Sequence, residues 1–118
     1  MLINIQPSQL QGEVRAPPSK SMTHRALIGA ALAEGTSRVL HPLRSDDTEA
    51  TRSVLTQLGA RITRRDDGWK VEGGGISTPR NQLFCGESGT TLRLVTPITA
   101  LAEGDVKLTG GPSLSGRP

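Results

Sequence analysis

With 118 residues, the chain is long enough for one compact domain built around a modest core. Aromatic residues make up only 2% of it, so that core must come from Leu, Ile, Val and Ala, and the stacking surface of a single-strand nucleic-acid binder is missing. A net charge of +3 favours small anionic partners, while a single cysteine, Cys85, excludes an internal disulfide and a cysteine metal cluster and fits a reducing, cytoplasmic setting.

In chain order, Leu2 to Ile5 reads as a short strand stopped by Pro7, with neither a signal-peptide core nor a membrane-spanning run. A second strand, Gly12 to Ala16, stops at Pro17-Pro18, which cannot continue a ladder. A helical pattern follows over Met22 to Glu34, with Leu27, Ile28, Ala31 and Leu32 on one face and Gly35 as a left-handed cap. Thr36 to His41 reads as a strand. Asp46 followed three residues later by Glu49 predicts a capped helix with the stripe Ala50, Val54, Leu55 and Leu58, closed by Gly59. Arg61 to Arg65 and Trp69 to Gly73 flank Asp66-Asp67-Gly68 as a hairpin, with Trp69 as its apolar anchor.

Beyond a loop from Gly73 to Asn81, the pattern predicts a strand at Leu83 to Cys85, a helix from Thr90 to Glu103 and a strand from Asp105 to Thr109. Pro97 is expected to kink that helix or shorten its first half. The tail, Gly110 to Pro118, is turn-rich and adds no closing element.

A shift of 69 positions lays Ala31-Leu32-Ala33-Glu34-Gly35 on the identical Ala100-Leu101-Ala102-Glu103-Gly104. It also lays Ser19 on Ser88 and Ser21 on Thr90. The chain therefore reads as α/β, with a βαβαββ unit complete over residues 12–73 and a second unit cut off within residues 82–118. About one and a half units imply a longer native protein.

The chemistry sits where the two helices begin. Ser19-Lys20-Ser21 through Arg25 places an ammonium, a hydroxyl and a guanidinium around unpaired N–H groups and a positive dipole end, an arrangement suited to a phosphate or carboxylate. The plainer alternative is a serine cap with solvated charges. In the second copy, Gly86-Glu87-Ser88-Gly89-Thr90 with Arg93 offers hydroxyls, a helix start and a guanidinium, and Gly89 allows close approach to the backbone. Other residues carry less: Asp46 reads mainly as a cap, Cys85 as a buried small hydrophobe, and His24 and His41 as structural or solvated.

The run Pro18-Ser19-Lys20-Ser21 through Arg25-Ala26-Leu27, then Ala31 to Gly35, Ser45-Asp46-Asp47, Gly86 to Thr90 with Arg93, Leu108-Thr109-Gly110 and Arg117-Pro118 resembles the 5-enolpyruvylshikimate-3-phosphate synthase family over essentially the whole chain. The resemblance implies the repeated βαβαββ units of the enolpyruvyl transferase inverse barrel, with residues 1–11 serving another domain. It implies transfer of the enolpyruvyl group of phosphoenolpyruvate to the 5-hydroxyl of shikimate 3-phosphate, in aromatic amino-acid biosynthesis, with no metal or organic cofactor and no nucleic-acid or membrane partner. By the same resemblance Lys20 contacts both substrates and is the catalytic residue of this segment. Ser21 and Arg25 hold shikimate 3-phosphate, Gly89 and Arg117 receive phosphoenolpyruvate, and Thr90 and Arg93 line the same corner.

The proton-transferring groups are expected in a C-terminal portion beyond Pro118, so this chain is expected to bind poorly and not to turn over. Two residues depart from the common pattern: Glu87 stands where many relatives carry Asn, and Leu94 where they often carry Pro. The related transferase acting on a UDP-sugar usually has Asn at the position of Ser21 and a reactive loop cysteine, unlike Cys85 in its expected strand. A stand-alone anion- or RNA-binding module is the alternative from another class.

Overall fold

The computed structural model describes residues 1–117; Pro118, the end of the expected second unit, lies outside the described residues. The fold is mixed α/β. Its order is α1 (Lys20–Leu32), β1 (Gly35–Leu40), α2 (Asp46–Gln57), β2 (Arg61–Arg65), β3 (Gly68–Gly73), β4 (Leu83–Phe84), α3 (Gly89–Thr99), β5 (Leu108–Thr109) and α4 (Pro112–Ser115).

The strands β1, β3 and β2 form an antiparallel sheet in that order, with Val39 opposite Trp69 and Ile62 opposite Val71. One face of this sheet is apolar and meets α1 and α2. Leu27, Ala30, Ala31, Val39, Leu55, Ala60, Trp69 and Val71 form the resulting core, flanked by Ile28 and Ile62. Full burial of a Leu or Val side chain contributes about 1.5–3 kcal/mol, which is how a core with one aromatic suffices. The close seam between α1 and β3 depends on Gly73, where an added Cβ would stand 2.4 Å from the carbonyl oxygens of Ala30 and Ala31. No other residue fits there.

A second core comprises Val54, Leu58, Leu83, Cys85, Val95 and Leu114. Helix α2 thus serves both cores, giving Leu55 to one and Val54 and Leu58 to the other. Beneath it β4 pairs with β5 in parallel, Leu83 opposite Leu108, with α3 as the crossover.

Of the expected elements, the strand Arg61–Arg65 holds to the residue, those at Thr36–His41, Trp69–Gly73 and Leu83–Cys85 shift by one residue at one end or both, and others are corrected. The strands anticipated at Leu2–Ile5 and Gly12–Ala16 are absent: residues 1–19 carry no helix or strand and are exposed throughout. A strand needs a ladder partner, and here both segments lack one. Residues 12–73, expected as βαβαββ, therefore show αβαββ. The arm stretches the long dimension to 60 Å and the radius of gyration to 17.3 Å, against about 13.5 Å for a compact chain of this length.

Helix α1 starts two residues earlier than expected, and its C-cap is Ala33, although Gly35 does adopt a left-handed φ of 88°. The second helix is capped by Ser45, whose reciprocal partner is Thr48, not by Asp46 with Glu49. Glu49 is instead drawn to Arg52 and Arg64, at 2.7 and 2.6 Å. Pro97 lies inside α3, which loses length at its far end, stopping at Thr99 rather than Glu103. A proline there removes an N–H from the last turns without disturbing the first. The expected strand from Asp105 shrinks to Leu108–Thr109, and the tail adds the short α4.

The 69-residue shift survives in three dimensions. Lys20 and Gly89 each open a helix, Ser19 and Ser88 each cap one, and Gly35 and Gly104 both have positive φ, 88° and 81°.

Candidate functional site

Three serines cap three helices by the same device. Ser19, Ser45 and Ser88 accept the backbone N–H of Met22, Thr48 and Thr91 at 3.3, 3.4 and 3.1 Å. Each satisfies one of the orphan donors of its first turn and leaves others facing outward.

Side chains bring these starts together. Thr23, buried on α1, accepts the N–H of Leu43 at 2.9 Å, and Thr48 on α2 donates to the carbonyl of Leu43 at 2.8 Å. Lys20 at the head of α1 reaches Asp47 at the head of α2, Nζ to Oδ2 at 2.8 Å. Thr91 on α3 donates to the carbonyl of Asp47 at 3.2 Å.

Between the starts of α1 and α3 lies a hollow of about 280 Å³ lined by Ser21, Arg25, Gly89, Thr90, Arg93 and Leu94. Five of the seven residues singled out by sequence meet there. Arg117 lies next door, in a smaller hollow that shares Gly89 and Arg93 with the first. An added Cβ at Gly89 would stand 3.6 Å from Leu114 Cδ1 and 3.7 Å from Arg117 Nη1, so the glycine forms the floor between the two. Lys20 lines neither hollow, because Asp47 holds its ammonium.

Two guanidiniums, two helix starts and the hydroxyls of Ser21 and Thr90 line this hollow with positive charge and hydrogen-bond donors. Two nearby carboxylates are engaged elsewhere. Asp47 is paired with Lys20, and Glu87 accepts the N–H groups of Leu114 and Ser113 at 2.7 and 3.4 Å at the start of α4. The carboxylate that departs from the common Asn is thus satisfied by backbone donors. The contact also fixes Gly111, where an added Cβ would lie 2.0 Å from Glu87 Oε1. Glu87 thereby seats the short helix that carries Leu114 and leads into Arg117, which itself donates to Ser113 Oγ at 3.1 Å.

A larger hollow, about 520 Å³, lies at the hairpin among Thr36, Arg38, Arg65, Asp66, Asp67 and Lys70. It is a weaker candidate despite its size. Arg38 pairs with Asp67, and Lys70 with Glu72, so most of its charge is spent internally.

Sequence reasoning missed Asp47 as the partner of Lys20, and it missed a buried polar chain beneath the site. His24 Nδ1 lies 2.7 Å from Thr51 Oγ1, Thr51 Oγ1 lies 2.7 Å from Thr91 Oγ1, and Thr91 donates to Ser88 Oγ at 2.7 Å. Burial holds the His24 imidazole below the ordinary histidine range, against the pull of Asp47 and with the push of Lys20. Threonines placed within the apolar stripes of α2 and α3 were the available signal. Cys85 is fully buried, and burial raises its thiol, which makes it a packing residue. Among the described residues no histidine, cysteine or carboxylate cluster could hold a metal ion, and no helix is long and apolar enough to cross a membrane.

Comparison with known proteins shows the family. The family EPSP synthase (3-phosphoshikimate 1-carboxyvinyltransferase) matches residues 5–118. The chain is 46% identical to the 3-phosphoshikimate 1-carboxyvinyltransferase of Halobacterium salinarum, over 100% of this chain and 28% of that protein. It is 48% identical to that of Methanothermobacter thermautotrophicus, over 92% of this chain and 26% of that protein. Among solved structures, EPSP synthase from Acinetobacter baumannii superposes with a TM-score of 0.82 at 33% identity, over 91% of this chain and 25% of that one. The chain thus spans between 25% and 28% of the length of these relatives. It belongs to the EPSP synthase family.

Proposed function

We propose that this member of the EPSP synthase family forms part of the substrate cleft of a 3-phosphoshikimate 1-carboxyvinyltransferase. The observation that carries the reading is the joining of Ser21 and Arg25 with Gly89, Thr90 and Arg93 in one cationic hollow between two capped helix starts.

In this reading Ser21 and Arg25, with the first turn of α1, take the phosphate of shikimate 3-phosphate. The N–H groups at Gly89 and Thr90, together with Arg93 and Arg117, take phosphoenolpyruvate. Lys20 leaves Asp47 to bridge both anions and stabilise the charge that develops between them. The reaction adds a proton to the methylene carbon of phosphoenolpyruvate, and the 5-hydroxyl oxygen bonds to the neighbouring carbon while giving up its own proton. Loss of phosphate and of one methyl proton then regenerates the alkene as an enolpyruvyl ether. This chain supplies anion clamps and orientation, and the proton donor and acceptor belong to the remainder of the longer enzyme.

The unpaired arm fits the same proposal. Residues 1–11 would serve as a strand of a second domain, residues 12–73 as one complete unit and residues 82–118 as the start of another. A cytoplasmic setting goes with it. The UDP-sugar transferase reading calls for a reactive loop cysteine, and buried Cys85 does not match that.

The test joins this chain to the remaining three quarters or so of a relative, in cis or by co-expression, and measures phosphate release from the two substrates. Release by the joined protein and none by this chain unaided is the expected result; turnover by the chain alone contradicts it.

A further inference from the structure

His24, Thr51, Thr91 and Ser88 form one buried line crossing α1, α2 and α3, and none of the four is more than 4% exposed. Their donor directions follow from one acceptor. The Asp47 carbonyl can only accept, so Thr91 O–H points toward it and Ser88 Oγ, at 3.2 and 2.7 Å. Thr51 must then donate to Thr91, and His24 Nδ1–H must donate to Thr51, each across 2.7 Å. His24 Nε2 is left as a bare buried acceptor with no hydrogen-bond partner.

The line ends on the N-cap of α3. Ser88 directly precedes Gly89 and Thr90, the backbone that floors the anion hollow, while His24 sits between Ser21 and Arg25, which form the opposite wall. A histidine buried without a partner for its second nitrogen is costly to keep, and apolar packing would fill the space more cheaply. What it adds is a directional tie between two walls carried by separate helices.

We propose that His24 is a positioning residue: through Thr51 and Thr91 it sets the start of α3 against the first turns of α1, and so fixes the width of the anion hollow. The functional part of this inference rests on reading the hollow as an anion site, while the structural part does not.

Three variants of the full chain test it. His24→Leu removes the donor, Thr51→Val cuts the line at its middle with almost no change of shape, and His24→Asn places an amide N–H where Nδ1–H stood. The readouts are the backbone amide resonances of Gly89 and Thr90 in the ligand-free protein, and the affinities for shikimate 3-phosphate and inorganic phosphate. Expected are displaced Gly89 and Thr90 resonances and about tenfold weaker binding in His24→Leu and Thr51→Val, with His24→Asn within about twofold of the parent. Should His24→Leu fail to fold, Thr51→Val decides. Unmoved Gly89 and Thr90 resonances in a folded Thr51→Val chain, or equal damage from His24→Asn and His24→Leu, overturn the proposal. If the parent binds neither ligand, the anion-site reading fails, while the ligand-free resonances still decide whether His24 positions α3.

Discussion

Lys20 Nζ and Asp47 Oδ2 stand 2.8 Å apart across the heads of two neighbouring helices, so the lysine of the candidate site is engaged before any ligand arrives. Both side chains keep substantial exposure, 49% and 29%, and a pair of this kind adds little to stability. Its consequence is competition between a fixed carboxylate and an incoming anion. Asp47→Asn should therefore tighten binding of inorganic phosphate by about two- to fivefold at low ionic strength, with the gain fading in about 0.5 M salt as screening shortens to a few ångströms. Calorimetric titration at both salt levels checks this, and unchanged or weaker binding at low salt speaks against it.

Gly89 is the position where stability and binding should part company. An added Cβ meets Leu114 and Arg117 only at ordinary van der Waals distance, and alanine suits a helix better than glycine. Gly89→Ala should melt no lower than the parent, with a gain of up to about 1 kcal/mol, yet lose about tenfold in affinity for phosphoenolpyruvate because the methyl group occupies the hollow. A variant that loses stability and binding together would show that the glycine is structural.

Glu87 acts through α4. Its carboxylate takes the Leu114 N–H at 2.7 Å, so Glu87→Ala should release the start of that helix and cost about 1–2 kcal/mol. Binding attributed to Arg117 should weaken, while the amide response of Ser21 to Arg25 to shikimate 3-phosphate stays as it was. Chemical denaturation and phosphoenolpyruvate titration of the variant measure the two effects.

His24 gives the fold a pH dependence of definite sign. The unfolded chain takes up a proton near pH 6.5, whereas burial keeps the folded imidazole neutral to lower pH, Asp47 opposing and Lys20 reinforcing the effect. Protons therefore favour the unfolded state in that window. Stability is complete above about pH 6.5 and declines below it. Glu49 does not interfere: burial would raise its carboxyl, but Arg52 and Arg64 outweigh this and lower it, so its contribution is lost only below the ordinary value of 4.5. The urea midpoint should fall between about pH 7.5 and about pH 5.5 in the parent and stay flatter in His24→Asn. An equal fall in both would remove His24 as the cause.

The parts of this molecule that could be read from sequence are those decided locally. A serine before a helix and the Asp66-Asp67-Gly68 turn act within a few residues, and both held, whereas Gly35 keeps its left-handed φ but leaves the cap of α1 to Ala33. Strands depend on partners far along the chain. Leu2–Ile5 and Gly12–Ala16 have strand-like patterns and nothing to pair with, while Leu83–Phe84 finds β5. The choice between Ser45 and Asp46 as cap was undecidable locally, since both side chains accept and only the seating of Thr48 against Leu43 separates them. Within the site, Ser21, Arg25, Gly89, Thr90 and Arg93 were legible because each lies in the first two turns of a helix that a preceding serine marks. Asp47, Thr51 and Thr91 were not, because their roles exist only across helices.

In the proposed reading the start of α1 receives shikimate 3-phosphate in a hollow whose other wall is the start of α3. Titration with shikimate 3-phosphate, followed at every backbone amide, tests it most directly. Expected are shifts centred on Lys20 to Arg25 and extending to Gly89 to Arg93, lost in Lys20→Ala and Arg25→Ala. Shifts spread evenly over the basic residues, or centred on the hairpin hollow at Arg38, Arg65 and Lys70, contradict it.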